Sequence, residues 1–221
     1  MKKTLATLLL LCLLGLSLTA SAHEKFRIGV TGGMNVSTPT NQDTKMGYNV
    51  GLRGEWNFKG CESDSPFLSF GLLLTDKSWR KKGWHFDYSE SSSEIIGAYP
   101  SLLKAHPTYL ELPLHFGYRW AVGKNVNLFA SAGPYVAFGL FGKDKYQEEW
   151  KGQTHKAPSR NVFDDELRRF DWGIGYRVGV ELKKHYQISI SQDWGLRNMR
   201  DNKYADKLQN RNCSLNFGYT F

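Results

Sequence analysis

Alternation of large apolar residues with small or polar ones runs through most of the chain. Phe170, Trp172, Ile174, Tyr176, Val178, Val180 and Leu182 interleave with Asp171, Gly173, Gly175, Arg177, Gly179, Glu181 and Lys183. Leu110, Leu112, Leu114, Phe116, Tyr118 and Trp120 alternate in the same way with Glu111, Pro113, His115, Gly117 and Arg119. A period of two puts successive side chains on opposite faces of a strand, so each run predicts a strand with one apolar and one polar face. Eight such runs occur, at 26–36, 47–58, 66–76, 108–120, 126–141, 169–183, 185–196 and 212–221. After residue 22 no apolar stretch reaches the ~20 residues of a spanning helix.

Strands of soluble domains usually hold ~5–6 residues, whereas a tilted strand crossing a bilayer needs ~9–11, which every one of these runs can supply. Trp56, Phe58, Tyr118, Trp120, Phe170, Trp172, Tyr219 and Phe221 lie near run ends, as aromatic girdles at two membrane interfaces would. Connections alternate in length: 59–65, 121–125 and 184 are short, while 37–46, 76–107, 142–168 and 197–211 are long. The pattern predicts an all-β fold: an eight-stranded antiparallel transmembrane up-and-down β-barrel with short periplasmic turns and long extracellular loops. A soluble lipocalin-like barrel is the alternative, and it would turn its apolar face inward.

Composition agrees with an all-β chain: 22 glycines, 13 Phe, 11 Tyr and 7 Trp stand against 7 prolines. At the N-terminus, Lys2 and Lys3 precede an apolar run from Leu5 to Leu18, and Ala20-Ser21-Ala22 supplies small cleavage residues. This predicts a signal peptide over 1–22, removed on export, and a barrel domain over 23–221. Cys12 lies within the apolar run with leucines after it, which does not suit a lipid-attachment site. Losing Lys2 and Lys3 lowers the net charge from +8 to +6.

Three stretches carry a family resemblance: the strand YLELPL at 109–114, FASAGPYVAFGLFG at 129–142 and RRFDWGIGYRVGVEL at 168–182. Together they resemble the porin-like outer-membrane β-barrel family common in Bacteroidota, over essentially all of 25–221. The resemblance implies an eight-stranded barrel in the outer membrane of a Gram-negative bacterium, with no catalytic residues to carry over. The C-terminus is similar to the assembly signal of such barrels, read by the barrel-assembly machinery during biogenesis. Ser214, Tyr219 and Phe221 fill their places, but Asn216 stands where a glycine is usual.

With the apolar set facing lipid, Arg53, Glu55, Glu111, His115, Arg119, Asp171, Arg177, Glu181 and Asp193 face the lumen. Eight strands enclose only enough space for side chains, so these charges must pair or stay hydrated. A structural plug is favoured over an ion or proton path because both signs are interleaved. Across the turn at Lys184, Arg177 falls near Ile190 or Ser191 and diagonal to Asp193, which predicts an Arg177–Asp193 ion pair.

Chemistry elsewhere is sparse. His85, His106, His155, Ser78, Ser101 and Asp87 lie in the long loops, but no Gly-x-Ser-x-Gly occurs and no spacing selects a triad. The histidines are dispersed without ligand spacing, so no metal and no cofactor is expected. Gly173, Gly175 and Gly179 have the wrong spacing for a phosphate loop and read as small lumen-facing residues. Residues 142–168 carry six bases and six acids, whereas 197–211 carry five bases against two acids. Arg197, Arg200 and Arg211 thus form a candidate rim for lipid phosphate, with outer-membrane lipids and lipopolysaccharide as partners rather than nucleic acid. The expected role is non-enzymatic surface binding of an unknown extracellular ligand, or reinforcement of the envelope, through the loops. A narrow passive channel for small solutes and an outer-leaflet lipid hydrolase are the alternatives.

Cys61 falls in a short turn and Cys213 at the long-loop end of the last strand, ~20 Å or more apart along tilted strands. A disulfide needs Cα atoms within ~7 Å, so none is predicted between them. The intact mass under non-reducing conditions should match two free thiols; a loss of two hydrogens per monomer would overturn the topology.

Overall fold

The computed structural model describes residues 25–59, 64–88, 95–150, 153–165, 167–200 and 206–221. The signal-peptide region and Cys61 lie outside them. The strands are β1 (Phe26–Ser37), β2 (Lys45–Asn57), β3 (Ser65–Asp76), β4 (Trp79–Tyr88), β5 (Ile95–Gly123), β6 (Val126–Trp150), β7 (Gln153–Lys156), β8 (Phe170–Leu182), β9 (Tyr186–Gly195) and β10 (Arg211–Thr220), with one short helix α1 (Val162–Asp165). Eight of them close into an antiparallel ring in the order β5-β3-β2-β1-β10-β9-β8-β6, joined by the β5–β6 pairing. Each ring strand contains or closely matches one of the alternating runs. The seam between first and last strands runs from Gly29 opposite Thr220 to Ser37 opposite Asn212. No edge remains along the ring, as a bilayer demands of any sheet that crosses it.

Exposure separates the two barrel types. Val50, Leu72, Leu114, Ile174, Ile190 and Leu215 point outward and are exposed, while Asn49, Glu111, His115, Arg177, Ser191 and Ser214 point inward and are buried. Apolar outside and polar inside is the membrane arrangement, opposite to that of a lipocalin. Among the described residues no helix is long and apolar enough to cross a membrane.

The long connections need correction. Residues 76–107 are largely strand rather than loop, and 142–168 begin with two further strand segments, 142–150 and 153–156. β4 pairs with the upper half of β5 from Trp79–Ala105 to Tyr88–Ile95, and β7 pairs with the upper end of β6. β5 and β6 hold 29 and 25 residues, far beyond the ~9–11 that span a bilayer. A four-stranded sheet, β4-β5-β6-β7, therefore stands above the membrane on one side of the barrel. Near its base the register shifts between Thr108 and Tyr109, leaving Leu140 of β6 unpaired as a bulge.

Over the mouth lies a small apolar core. Trp79, Tyr109, Tyr135, Val162, Phe163, Leu167, Met199 and Leu208 pack together, joining three strands to α1 and to the connection between β9 and β10. Phe163 meets Tyr109 edge-on at 5.6 Å and sits so close over Gly139 that a Cβ there would collide with its ring. Backbone bonds from Met199 N to Leu208 O (2.7 Å) and Arg168 N to Met199 O (2.8 Å) tie the covering segments down.

At the opposite end, β8 turns into β9 through Lys183 and Lys184, both left-handed at φ 51° and 63°. Leu182 pairs with Tyr186, so the loop holds residues 183–185, and His185 N–H donates to Leu182 O at 3.1 Å. Two central residues at positive φ are the mark of a type I′ turn, where Asn-Gly is preferred. Lysine fits it poorly. The double variant Lys183→Asn, Lys184→Gly should raise unfolding stability by about 0.5–1 kcal/mol, read as a higher urea midpoint in lipid vesicles. An unchanged or lower midpoint would refute the turn assignment.

Candidate functional site

Buried polar and charged side chains line the lumen from floor to mouth. At the floor, Glu55 and Glu181 hold three arginines. Arg27 Nη2 donates to Glu55 and to Glu181 at 2.7 Å each, and its Nη1 reaches the Lys184 carbonyl at 3.1 Å. Arg119 donates to Glu55 at 2.5 Å and to the Asn57 side chain, with Nε 3.6 Å from Glu181. Arg177 donates to Gln187 at 2.7 Å and Ser189 at 3.0 Å, and lies 3.8 Å from Glu55. Gln187 in turn donates to both carboxylates, at 3.2 and 2.9 Å. The guanidinium planes of Arg119 and Arg177 lie over Phe67 and Phe129, 5.0 and 4.6 Å from the ring centres. These contacts compensate for the lost hydration of buried charge.

Above this floor, Arg53, Glu111, His115 and Asp193 line a residual cavity of about 10 Å³, the space of one water. Higher still, Lys77 is fully buried. Its ammonium sits 2.8 Å from Glu111 and 3.6 Å from Asp171, with the Tyr135 ring 4.6 Å away. Asn210 holds Asp171 at 2.7 Å and Tyr135 OH reaches it at 3.3 Å, which binds this lock to the apolar cap.

All nine lumen residues singled out in the sequence thus face one interior, though not with the expected pairing. Arg177 does not pair with Asp193. Its cross-strand neighbour is Ser191, and its long side chain turns down to Glu55 and Gln187. Sequence reasoning missed three members. Arg27 has the inward parity of Gly29, Thr31 and Asn35, a legible signal. Gln187 shares the parity of Ser189 and Asp193 but is uncharged. Lys77 follows the end of β3 and carried no periodic signal.

At the outer rim the structure brings together two of the scattered hydrolase candidates. Ser78 Oγ lies 2.5 Å from Asp76 and 3.0 Å from His106 Nδ1, and Lys45 Nζ lies 2.5 Å from His106 Nε2. Burial, then the nearby Lys45 charge, pushes His106 below its ordinary value, so the ring is neutral near pH 7. The ammonium can only donate, which puts the ring proton on Nδ1 and directs it to Ser78; Ser78 then donates to Asp76. The histidine is a donor to this serine, not its base. Ser78 is also fully buried. Ser101 pairs opposite Glu148 on β5, away from this cluster. Among the described residues no group of His, Cys, Asp and Glu is gathered for a metal.

The three rim arginines do not share one hollow. Arg197 lies over Phe170 at 5.4 Å and Arg200 bridges to Leu167, while Arg211 lines a hollow with Thr38–Asp43. At the C-terminus, Ser214 faces the lumen and Asn216 donates to Ser191 at 3.1 Å, so asparagine fills an inward slot that glycine would leave empty. Tyr219 stacks on His185 and meets Phe221, whose backbone N–H bonds Ile28 O at 2.8 Å across the seam. Cys213 is exposed and free.

A closed ring, an apolar exterior and a charged interior describe a bilayer-spanning barrel, and a family model for the outer membrane protein beta-barrel domain matches residues 19–201. The chain belongs to this outer-membrane β-barrel family. It resides in the outer membrane. No curated protein matches it. Among solved structures, the attachment invasion locus protein Ail of Yersinia pestis is similar at 15% identity, covering 89% of this chain and 98% of that one, with a TM-score of 0.38. Neisserial surface protein A is similar at 9% identity, covering 89% and 97%, with a TM-score of 0.38.

The floor of this family member generates a direct test. Glu55→Ala leaves three buried arginines short of their shared carboxylate and should destabilise the barrel by about 3–5 kcal/mol, read from the unfolding midpoint in detergent. A loss within error of zero would show that the floor is hydrated rather than locked.

Proposed function

We propose that the protein is a sealed barrel that works through its extracellular half, as a non-enzymatic surface-binding or envelope-reinforcing protein. The residual lumen cavity of about 10 Å³ carries this reading: charge locks lie above and below it, and the mouth is covered by the apolar core. The channel alternative requires a continuous water path, and that packing weighs against one. The lipid-hydrolase alternative requires an accessible nucleophile and a base, and Ser78 with His106 offers neither. The emergent sheet β4–β7 supplies the surface for an extracellular ligand. Arg197, Arg200 and Arg211 are proposed to touch lipid phosphates at separate points of the rim. Residues 1–22 are proposed as the cleaved export signal, and Ser214, Tyr219 and Phe221 as the strand-end signal for the assembly machinery.

In planar bilayers the purified protein should give no regular conductance steps. Large, uniform single-channel steps from the unmodified protein would sink the sealed-barrel reading in favour of a pore.

A further inference from the structure

The outward face of the emergent sheet carries cations in rows. Arg80 of β4 pairs opposite Lys104 of β5, and Lys104 opposite Lys145 of β6, so three bases stand side by side across three strands. One row nearer the membrane, His106 pairs opposite Lys143, with Lys45 against the imidazole. Like charges directly opposite one another are destabilising. Three acids lie close: Asp43 reaches Arg80 at 4.0 Å, Asp76 lines the hollow below and accepts from Ser78, and Asp144 accepts from the Arg160 backbone N–H at 2.7 Å. The bases Arg80, Lys104, Lys143, Lys145 and Arg160 outnumber them. Burial lowers Lys45, Asp76 partly offsets this, and Lys104 and Lys145 lower it further; burial and the Lys45 charge lower His106, again against Asp76.

Directly below, the next row is apolar. Thr108 pairs with Phe141, which is 59% exposed, and Tyr48 beside them is 54% exposed. A hollow of about 650 Å³ joins the two zones, lined by Tyr48, His106, Phe141, Lys143, Lys145 and Arg160. Lys143 stands two residues beyond Phe141, ~7 Å along the strand. That is the vertical order of an anionic lipid, with chains below and phosphate above.

We propose that this hollow seats a phosphate borne on an outer-leaflet lipid, held by Lys143, Lys145 and Arg160, with the acyl chains against Tyr48 and Phe141. A free phosphate would use the cations but not the aromatic floor, so the lipid-borne group is the better match. The inference rests on the outer-membrane placement of the chain and not on the closure of its lumen.

The test uses the full barrel in nanodiscs of phosphatidylcholine doped with bisphosphorylated lipid A or with its dephosphorylated form. Lipid retained after detergent extraction is counted by mass spectrometry. The phosphorylated form should be retained at least about tenfold better, and Lys143→Gln, Lys145→Gln, Arg160→Gln should remove that preference. These side chains are exposed, and heat-shifted gel mobility confirms that the variant is folded. Lys25→Gln, Lys59→Gln, Lys124→Gln, exposed at the opposite end of the barrel, should keep the preference. Equal retention of both lipids, an unaffected first variant, or loss confined to the second variant would overturn the proposal. Displacement of lipid A by millimolar inorganic phosphate would also overturn it, by assigning the hollow to the free ion. Conductance of the same variants reports separately on the sealed lumen.

Discussion

The structure depends on charge balance inside a narrow ring. Among the described residues five bases face the lumen, Arg27, Arg53, Lys77, Arg119 and Arg177, and five acids answer them, Glu55, Glu111, Asp171, Glu181 and Asp193. An isolated charge in such a space would be very costly, and the hydrogen-bonded lattice makes the burial tolerable. Its further effect is on register. A one-residue slip of any ring strand would move its inward set into lipid, where an arginine or lysine near the midplane costs about 2–4 kcal/mol. Alternation sets which residues face in, and the lattice penalises every other alignment. A core of leucines inside the same ring would fill space without that penalty.

One irregular residue governs the part above the membrane. Below Leu140 the even positions of β6 face out, as Leu128, Val136 and Phe138 do. The bulge reverses this parity, so Phe141, Lys143 and Lys145 face out and Asp144, Tyr146 and Glu148 take the other side. Without it, an acid and a tyrosine would stand opposite the outward residues of β5, and the cationic rows would be broken. The same shift turns Gly142 inward against Val162 of α1, which seats the apolar cap. A single inserted residue thus couples closure of the mouth to the charge pattern of the outer face.

The eight ring strands were legible because lipid on one side and a polar lumen on the other enforce alternation. Once β5 and β6 leave the bilayer, solvent replaces lipid and that pressure lapses. Pro100 and Pro107 also argue locally against strand, although both sit in β5. Residues 76–107 therefore read as loop, and with them Lys77 disappeared from view. The predicted Arg177–Asp193 pair failed for a different reason. Register put Arg177 opposite Ser191 as expected, but a guanidinium on a long stem selects among several depths. It went to the floor, where Glu55 and the aromatic plane of Phe129 serve it together. Parity was readable; side-chain reach was not.

Proximity and chemistry part company in the same way at the rim. Asp76, Ser78 and His106 stand within hydrogen-bond reach, yet the direction of proton donation, set by Lys45, runs from the histidine to the serine and on to the carboxylate. An ammonium on the far nitrogen turns a potential base into a donor. The lattice inside adds the complementary constraint. Because the described bases and acids of the lumen balance in number, the lumen adds nothing to the positive formal charge of the chain. The interior specifies the barrel, and the cationic rows of β4, β5 and β6 lie on its outer surface.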